Sequence, residues 1–116
     1  MRKDDTVRMR HMLDAAREAS AFIQNKARQD LQHNRMLALS LVRLIEIIGE
    51  AASKVSRESQ KSHPSIPWAS IISMRNRLTH AYFDIDFDRL WDTIKADLPP
   101  LIAELEKDLP PPSTPL

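Results

Sequence analysis

Apolar residues recur along the chain with helical spacing, separated by short polar stretches that carry turn and capping residues. The spacing predicts a first helix from about Asp4 to Lys26, with Met9, Leu13, Ala16, Ser20 and Ile23 on one face and Phe22 nearby. Arg28-Gln29-Asp30 interrupts the pattern. A second helix, from about Gln32 to Arg57, is apolar over most of its circumference, and Ser40, Arg43, Glu46, Glu50, Ser53 and Arg57 form one narrow polar stripe. Such a helix must be covered on several sides. A small bundle has few elements to do this, so the pattern predicts either a helix-mediated homodimer or a central helix buried within one chain.

Lys61 to Pro67 reads as a turn-rich connection, because Pro64 and Pro67 disfavour helix before them and Pro67 suits a first helical turn. A third helix is expected from Trp68 to Tyr82. Asp84-Ile85-Asp86 offers capping side chains for a fourth, with Phe87, Leu90, Trp91, Ile94 and Leu98 on one face. Pro99-Pro100 is expected to end it, and a short last helix with Leu101, Ile102 and Leu105 to close near Leu109. The fold class is therefore all-α, a bundle of four to five helices. Residues 1–109 form one domain, and 110–116, with four prolines in seven residues, are expected to be a disordered tail.

Length agrees with one domain, since 116 residues lie within the usual range of about 100 to 200. With 42% hydrophobic and 28% charged residues and no apolar run of about 18, neither a membrane span nor a disordered chain is expected. The start, Met1-Arg2-Lys3-Asp4-Asp5, has no secretory pattern, so the expected compartment is the cytoplasm. The absence of cysteine excludes disulfides, thiolate metal sites and cysteine nucleophiles, and Gly49 alone cannot build a glycine-rich phosphate loop. Net charge is +1, but it is unevenly placed: residues 1–80 hold 14 Lys and Arg against 8 Asp and Glu, and residues 81–116 hold 3 against 8. A basic face can coexist with near-neutrality, although an ordinary solvated helix surface explains the same numbers.

Two metal-like patterns fail on their spacing. Asp84, Asp86 and Asp88 alternate as in a calcium loop, but Arg89 stands where that loop needs glycine and Lys95 where it needs a bidentate glutamate. Capping of the following helix explains these aspartates better. A two-aspartate nucleotidyltransferase centre fails too, since no Gly-Ser turn precedes the pair. His11, His33 and His63 lack ligand spacing. No metal and no cofactor is expected.

The chemistry concentrates in Met74-Arg75-Asn76-Arg77-Leu78-Thr79-His80-Ala81-Tyr82. On a continuous helix Arg75 and His80 would be rotated by about 140°, whereas Asn76 and His80 would share a face, so only the reach of arginine could bring the three together. The set lacks a nucleophile of its own. It suits a substrate that carries one, as RNA does in its 2′-hydroxyl: histidine can move a proton near neutral pH, and Arg75 or Arg77 can hold the phosphate as negative charge develops.

These residues also resemble the HepT-like toxins of the HEPN superfamily, the RNase halves of HEPN/MNT toxin–antitoxin pairs. That signature, an arginine, a polar residue, further residues, then histidine followed by x-Tyr, stands here as Arg75-Asn76-Arg77-Leu78-Thr79-His80-Ala81-Tyr82. The likeness extends through Ile45-Glu46-Ile47-Ile48-Gly49-Glu50-Ala51, Ile66-Pro67-Trp68, Tyr82-Phe83, Leu90-Trp91 and Asp97-Leu98-Pro99, and covers nearly everything before the proline tail.

The resemblance implies a HEPN-type bundle that dimerises, with the two Arg-His motifs lining a composite cleft. By position, Arg75 and His80 would be the catalytic pair and Asn76 their support. Tyr82 would be the site at which the partner MNT nucleotidyltransferase adds AMP from ATP, placing bulk and negative charge where the RNA phosphate must sit. Arg77, Lys54 and Arg57, with Lys61 nearby, are candidate RNA contacts, while Glu46 and Glu50 could line the cleft or pair with Arg43. Two other classes remain: a catalytically silent HEPN subunit that presents substrate to a nucleotidyltransferase, and a helical dimer with only a scaffolding role.

Overall fold

A computed structural model describes residues 2–80 and 84–110. Among these residues it is an all-α bundle with one two-residue strand pair. The elements in order are α1 (Lys3–Phe22), α2 (Asp30–His33), α3 (Arg35–Ser53), α4 (Arg57–Ser62), α5 (Trp68–Ile72), a 3₁₀ turn (Met74–Arg77), β1 (Thr79–His80), β2 (Asp84–Ile85), α6 (Phe87–Asp92), a π-helical turn (Thr93–Asp97) and α7 (Leu98–Asp108).

The core follows from the apolar spacing. Met9, Met12, Leu13, Ala16 and Ala19 of α1 are buried against Ala38, Leu41, Ile45, Ile48 and Ala52 of α3. The small alanines at this contact allow close approach, and α7 closes the other side of α1 with Leu98, Leu101 and Leu105. Helix α3 is covered within one chain, by α1, α5, α6 and the 3₁₀ turn. What stays open is the expected stripe, Ser40, Arg43, Glu46, Glu50 and Ser53, extended at its amino-terminal end by Met36 and Leu39, which are 78% and 45% exposed.

Local chemistry moves several predicted boundaries. α1 stops at Phe22, not Lys26, and the turn that follows holds Asn25 in the left-handed region at φ 62°. α3 begins at Arg35, not Gln32, because Asn34 leaves the helical region and its side chain accepts a hydrogen bond from Leu37 N at 3.0 Å. The helix does not reach Arg57. Ser56 is extended (φ −60°, ψ 152°), and its hydroxyl accepts from Ser59 N, starting α4 inside what the pattern assigned partly to a turn. Asp5 ties this start to α1. Its carboxylate accepts from Ser56 N at 2.9 Å, Ser56 Oγ at 2.6 Å and Ser59 Oγ at 2.7 Å, and these bonds hold the buried group down at a pKa of about 2.

The largest correction concerns the helix expected over 68–82: among the described residues, 68–80, it is not continuous. α5 ends at Ile72, and Ser73 Oγ bonds back to Ala69 O and Ser70 O. The chain tightens into the 3₁₀ turn, with Met74 and Leu78 buried, and then extends. Leu78 O accepts from Asp86 N at 2.8 Å, and Thr79 pairs with Ile85 and His80 with Asp84, antiparallel. Those nonlocal bonds replace the ones a longer helix would have made.

Asp86 caps α6 as expected, accepting from Arg89 N, while Asp88 and Asp92 hold Arg28 at 3.0 and 2.8 Å. Pro99 and Pro100 do not separate two helices. They stand in the first turn of α7, where the N–H groups that proline lacks would have no partner within the helix, and Leu98 N closes the wide turn just before them on Thr93 O. Of the residues assigned to the tail, 111–116 lie outside the described residues, and Pro110 O accepts from Arg10 Nη2 at 2.5 Å.

Candidate active site

Gly49 decides where the Arg75 segment sits. A Cβ there would lie 3.3 Å from the carbonyl oxygens of both Ile71 and Ile72, so α3 approaches the end of α5 more closely than a larger residue comfortably permits. The 3₁₀ turn is thereby seated beside the polar stripe of α3. Glu46, Gly49, Glu50, Ser53, Ile72, Arg75 and Asn76 line a depression of about 180 Å³.

Two carboxylates and two guanidinium groups meet at its rim. Glu46 Oε1 lies 3.3 Å from Arg75 Nε, and Glu46 Oε2 lies 3.2 Å from Arg43 Nη1. The same Arg43 nitrogen is 3.5 Å from Glu50 Oε1. Glu46 is the least exposed of the four, at 25%, whereas Arg75 is 51% exposed. One carboxylate thus fixes a cation whose remaining donors can meet an anion arriving from solvent. Sequence reasoning saw that Glu46 and Arg43 are close, but not that Glu46 also reaches Arg75.

The predicted residues separate into groups. Arg75 and Asn76 line the depression together. His80 follows in β1, and its side chain lies outside the described residues, as do Ala81, Tyr82 and Phe83. Because Arg75 and His80 belong to different elements, the angle expected on one helix does not apply. Arg77 turns away: its guanidinium donates to Ser70 Oγ and Ser70 O, both at 3.3 Å, and lines a separate cavity of about 550 Å³ with Pro100 and Glu104. Lys54 caps the end of α3 and is exposed. Arg57 stands with Lys61 on a depression that shares Ser53 and Ile72 with the one holding Arg75. Ile72, missed in the sequence, is 40% exposed between the two.

The sequence profile of the family described as ribonuclease HepT-like matches residues 12–107. The chain belongs to the HepT-like ribonuclease family. It is 35% identical over 99 residues to a protein of Thermococcus cleftensis provisionally named ribonuclease HepT, which covers 82% of this chain and 90% of that one. It is 32% identical over 95 residues to a Methanocaldococcus jannaschii protein provisionally named RNase MJ1380, covering 82% and 87%. A third relative, from Caldanaerobacter subterraneus and provisionally named RNase TTE0752, is 31% identical over 101 residues, covering 87% of each. No solved structure shows a significant match. The matched span includes residues 74–82 and the polar stripe of α3. Among the described residues no helix is long and apolar enough to cross a membrane.

Proposed function

We propose that this HepT-like ribonuclease is the toxin of a HEPN/MNT toxin–antitoxin pair and cleaves RNA through Arg75 and His80 without a metal ion. The observation that carries the reading is Arg75: a half-exposed guanidinium held by Glu46 at the mouth of a depression that also contains Asn76, five residues before the only histidine in the motif segment. Arg75 binds the scissile phosphate and offsets the charge that builds on it. His80 takes the proton from the 2′-hydroxyl, whose oxygen forms a bond to phosphorus as the bond to the 5′-oxygen breaks. The leaving oxygen gains a proton, and the products are a cyclic phosphate end and a 5′-hydroxyl end. Asn76 supports this geometry, and neither a cofactor nor an activated water is needed, because the substrate brings its nucleophile.

The active form in this reading is a homodimer whose two motifs share a composite cleft. The exposed Met36 and Leu39 on α3, along the same stripe as Glu46, support an association through that face. The MNT-type nucleotidyltransferase silences the enzyme by transferring AMP from ATP to the Tyr82 hydroxyl with loss of pyrophosphate. The added phosphate then occupies the neighbourhood of His80 and repels RNA. Lys54 and Arg57 serve as phosphate contacts, and the cytoplasm supplies both the RNA and the nucleotide.

Cleavage of total cellular RNA by the unmodified protein in excess EDTA, beside His80→Ala and with intact masses recorded, tests the proposal. Cleavage lost only in the variant is the expected result. An intact, unadenylated protein that leaves RNA uncut would instead assign the chain the role of a silent HEPN subunit.

A further inference from the structure

The depression at Arg75 continues past its rim. Ser53 and Ile72 also wall a second one, of about 510 Å³, whose other sides carry Val55, Arg57, Lys61 and Trp68. The first, at about 180 Å³, has room for a phosphate group but not for a nucleotide. The second falls within the range of about 300 to 1,000 Å³ usual for sites that hold small organic ligands.

Its walls are fixed by hydrogen bonds. Trp68 Nε1 donates to Gln60 O and His63 O, both at 3.1 Å, and Gln60 Nε2 donates to Val55 O at 3.0 Å. Trp68 and Val55 are buried, so they present an apolar floor, and the 40% exposed Ile72 forms a ledge towards Arg75. Arg57 and Lys61 stand four residues apart on α4 and therefore share its face. Among the described residues neither forms an ion pair, in contrast to Arg43 and Arg75, which are bound to carboxylates.

An apolar floor beside uncommitted cations matches the two halves of a nucleotide, a flat base and its phosphate. We propose that this second depression is a nucleotide subsite. It accepts one unpaired residue of single-stranded RNA next to the phosphate held at Arg75, with the base on Ile72 and Trp68 and the flanking phosphates on Arg57 and Lys61. The proposal rests on the ribonuclease reading above, and it makes the enzyme selective for unpaired RNA, because a base in a duplex cannot turn into the depression.

The test uses the full chain and a fluorescent 2′-O-methyl oligoribonucleotide, which has no free 2′-hydroxyl to attack. Binding is followed by anisotropy between about 50 and 200 mM salt. Arg57→Ala/Lys61→Ala is expected to bind more weakly and with a salt slope shallower by about 0.7 to 1.4, the value for one or two lost phosphate contacts on a single strand. Ile72→Ala is expected to bind several-fold more weakly with the slope unchanged, since it removes an apolar contact only. Circular dichroism melts confirm that both variants are folded. If the wild type cleaves RNA and both variants bind the oligonucleotide as it does, the subsite is overturned while the ribonuclease reading stands. A wild type that neither cleaves RNA nor binds the oligonucleotide overturns both.

Discussion

Glu46 Oε1 lies 3.3 Å from Nε of Arg75, a contact that joins the middle of α3 to the 3₁₀ turn 29 residues later. The pair is partly exposed, so its contribution to stability is small, at most about 1 kcal/mol. Its value is geometric. Arginine has many rotamers, and a carboxylate that holds Nε restricts the direction in which the fork points, while the second Glu46 oxygen is itself anchored by Arg43.

Glu46→Gln keeps the shape and removes the charge. RNA should then bind as tightly as before or more tightly, because a negative charge has left the site, while kcat falls by about tenfold as Arg75 loses its orientation. Steady-state cleavage kinetics separate the two effects. An unchanged kcat would show that the pair is only a surface contact.

Gly49→Ala sets two effects against each other. A helix interior gains about 1 kcal/mol when alanine replaces glycine, yet the new Cβ would press on the carbonyl oxygens of Ile71 and Ile72 at 3.3 Å. The expected outcome is a melting temperature within a few degrees of the wild type and a clear loss of RNA cleavage, because the strained contact lies just before the turn that carries Arg75. Full activity at unchanged stability would show that α5 can shift without moving the site.

Asp5 predicts an acid limb in the stability curve. Its folded-state pKa, about 2, lies below the ordinary 3.8, so the carboxylate's contribution is present above about pH 4 and is lost as pH falls towards 2. The shift corresponds to about 2 kcal/mol. Urea denaturation from pH 7 to pH 2.5 should show the wild type losing stability in this window more steeply than Asp5→Asn, which cannot ionise. Parallel curves would mean that Ser56 and Ser59 bind the carboxyl equally in both protonation states.

The open stripe of α3 makes a prediction about assembly. Met36→Glu/Leu39→Glu adds two charges to the exposed apolar end of the stripe without entering the core. If the homodimer forms through this face, sedimentation should show dimeric wild type and monomeric variant, and the monomer should lose cleavage together with its composite cleft. A variant that remains dimeric would place the interface elsewhere.

Periodicity alone told which faces go inward. Of the five residues assigned to one face, Leu90, Ile94 and Leu98 are fully buried while Phe87 and Trp91 are only partly so, and the alternation of apolar and polar residues from Ser40 to Ser53 marked the strip of α3 that stays open. The cap at Asp86 was equally readable, because a capping bond spans only three residues. The motif Arg75 to His80 and the likeness it carries were legible for the same reason: both are properties of contiguous residues.

Where the bonds are nonlocal, the sequence left the outcome open. Ile71, Met74 and Leu78 are spaced for burial whether the backbone continues as an α-helix or tightens and extends. The choice was made by Asp86 N bonding to Leu78 O and by the pairing of 79–80 with 84–85. Likewise Glu46 had a visible neighbour in Arg43, three residues away, and an invisible one in Arg75, which the close approach at Gly49 brings near. Hydrophobic spacing determines which residues leave water, since burial depends on each side chain's own character. Which polar groups then meet depends on how the buried faces pack, and only the tertiary structure decides that.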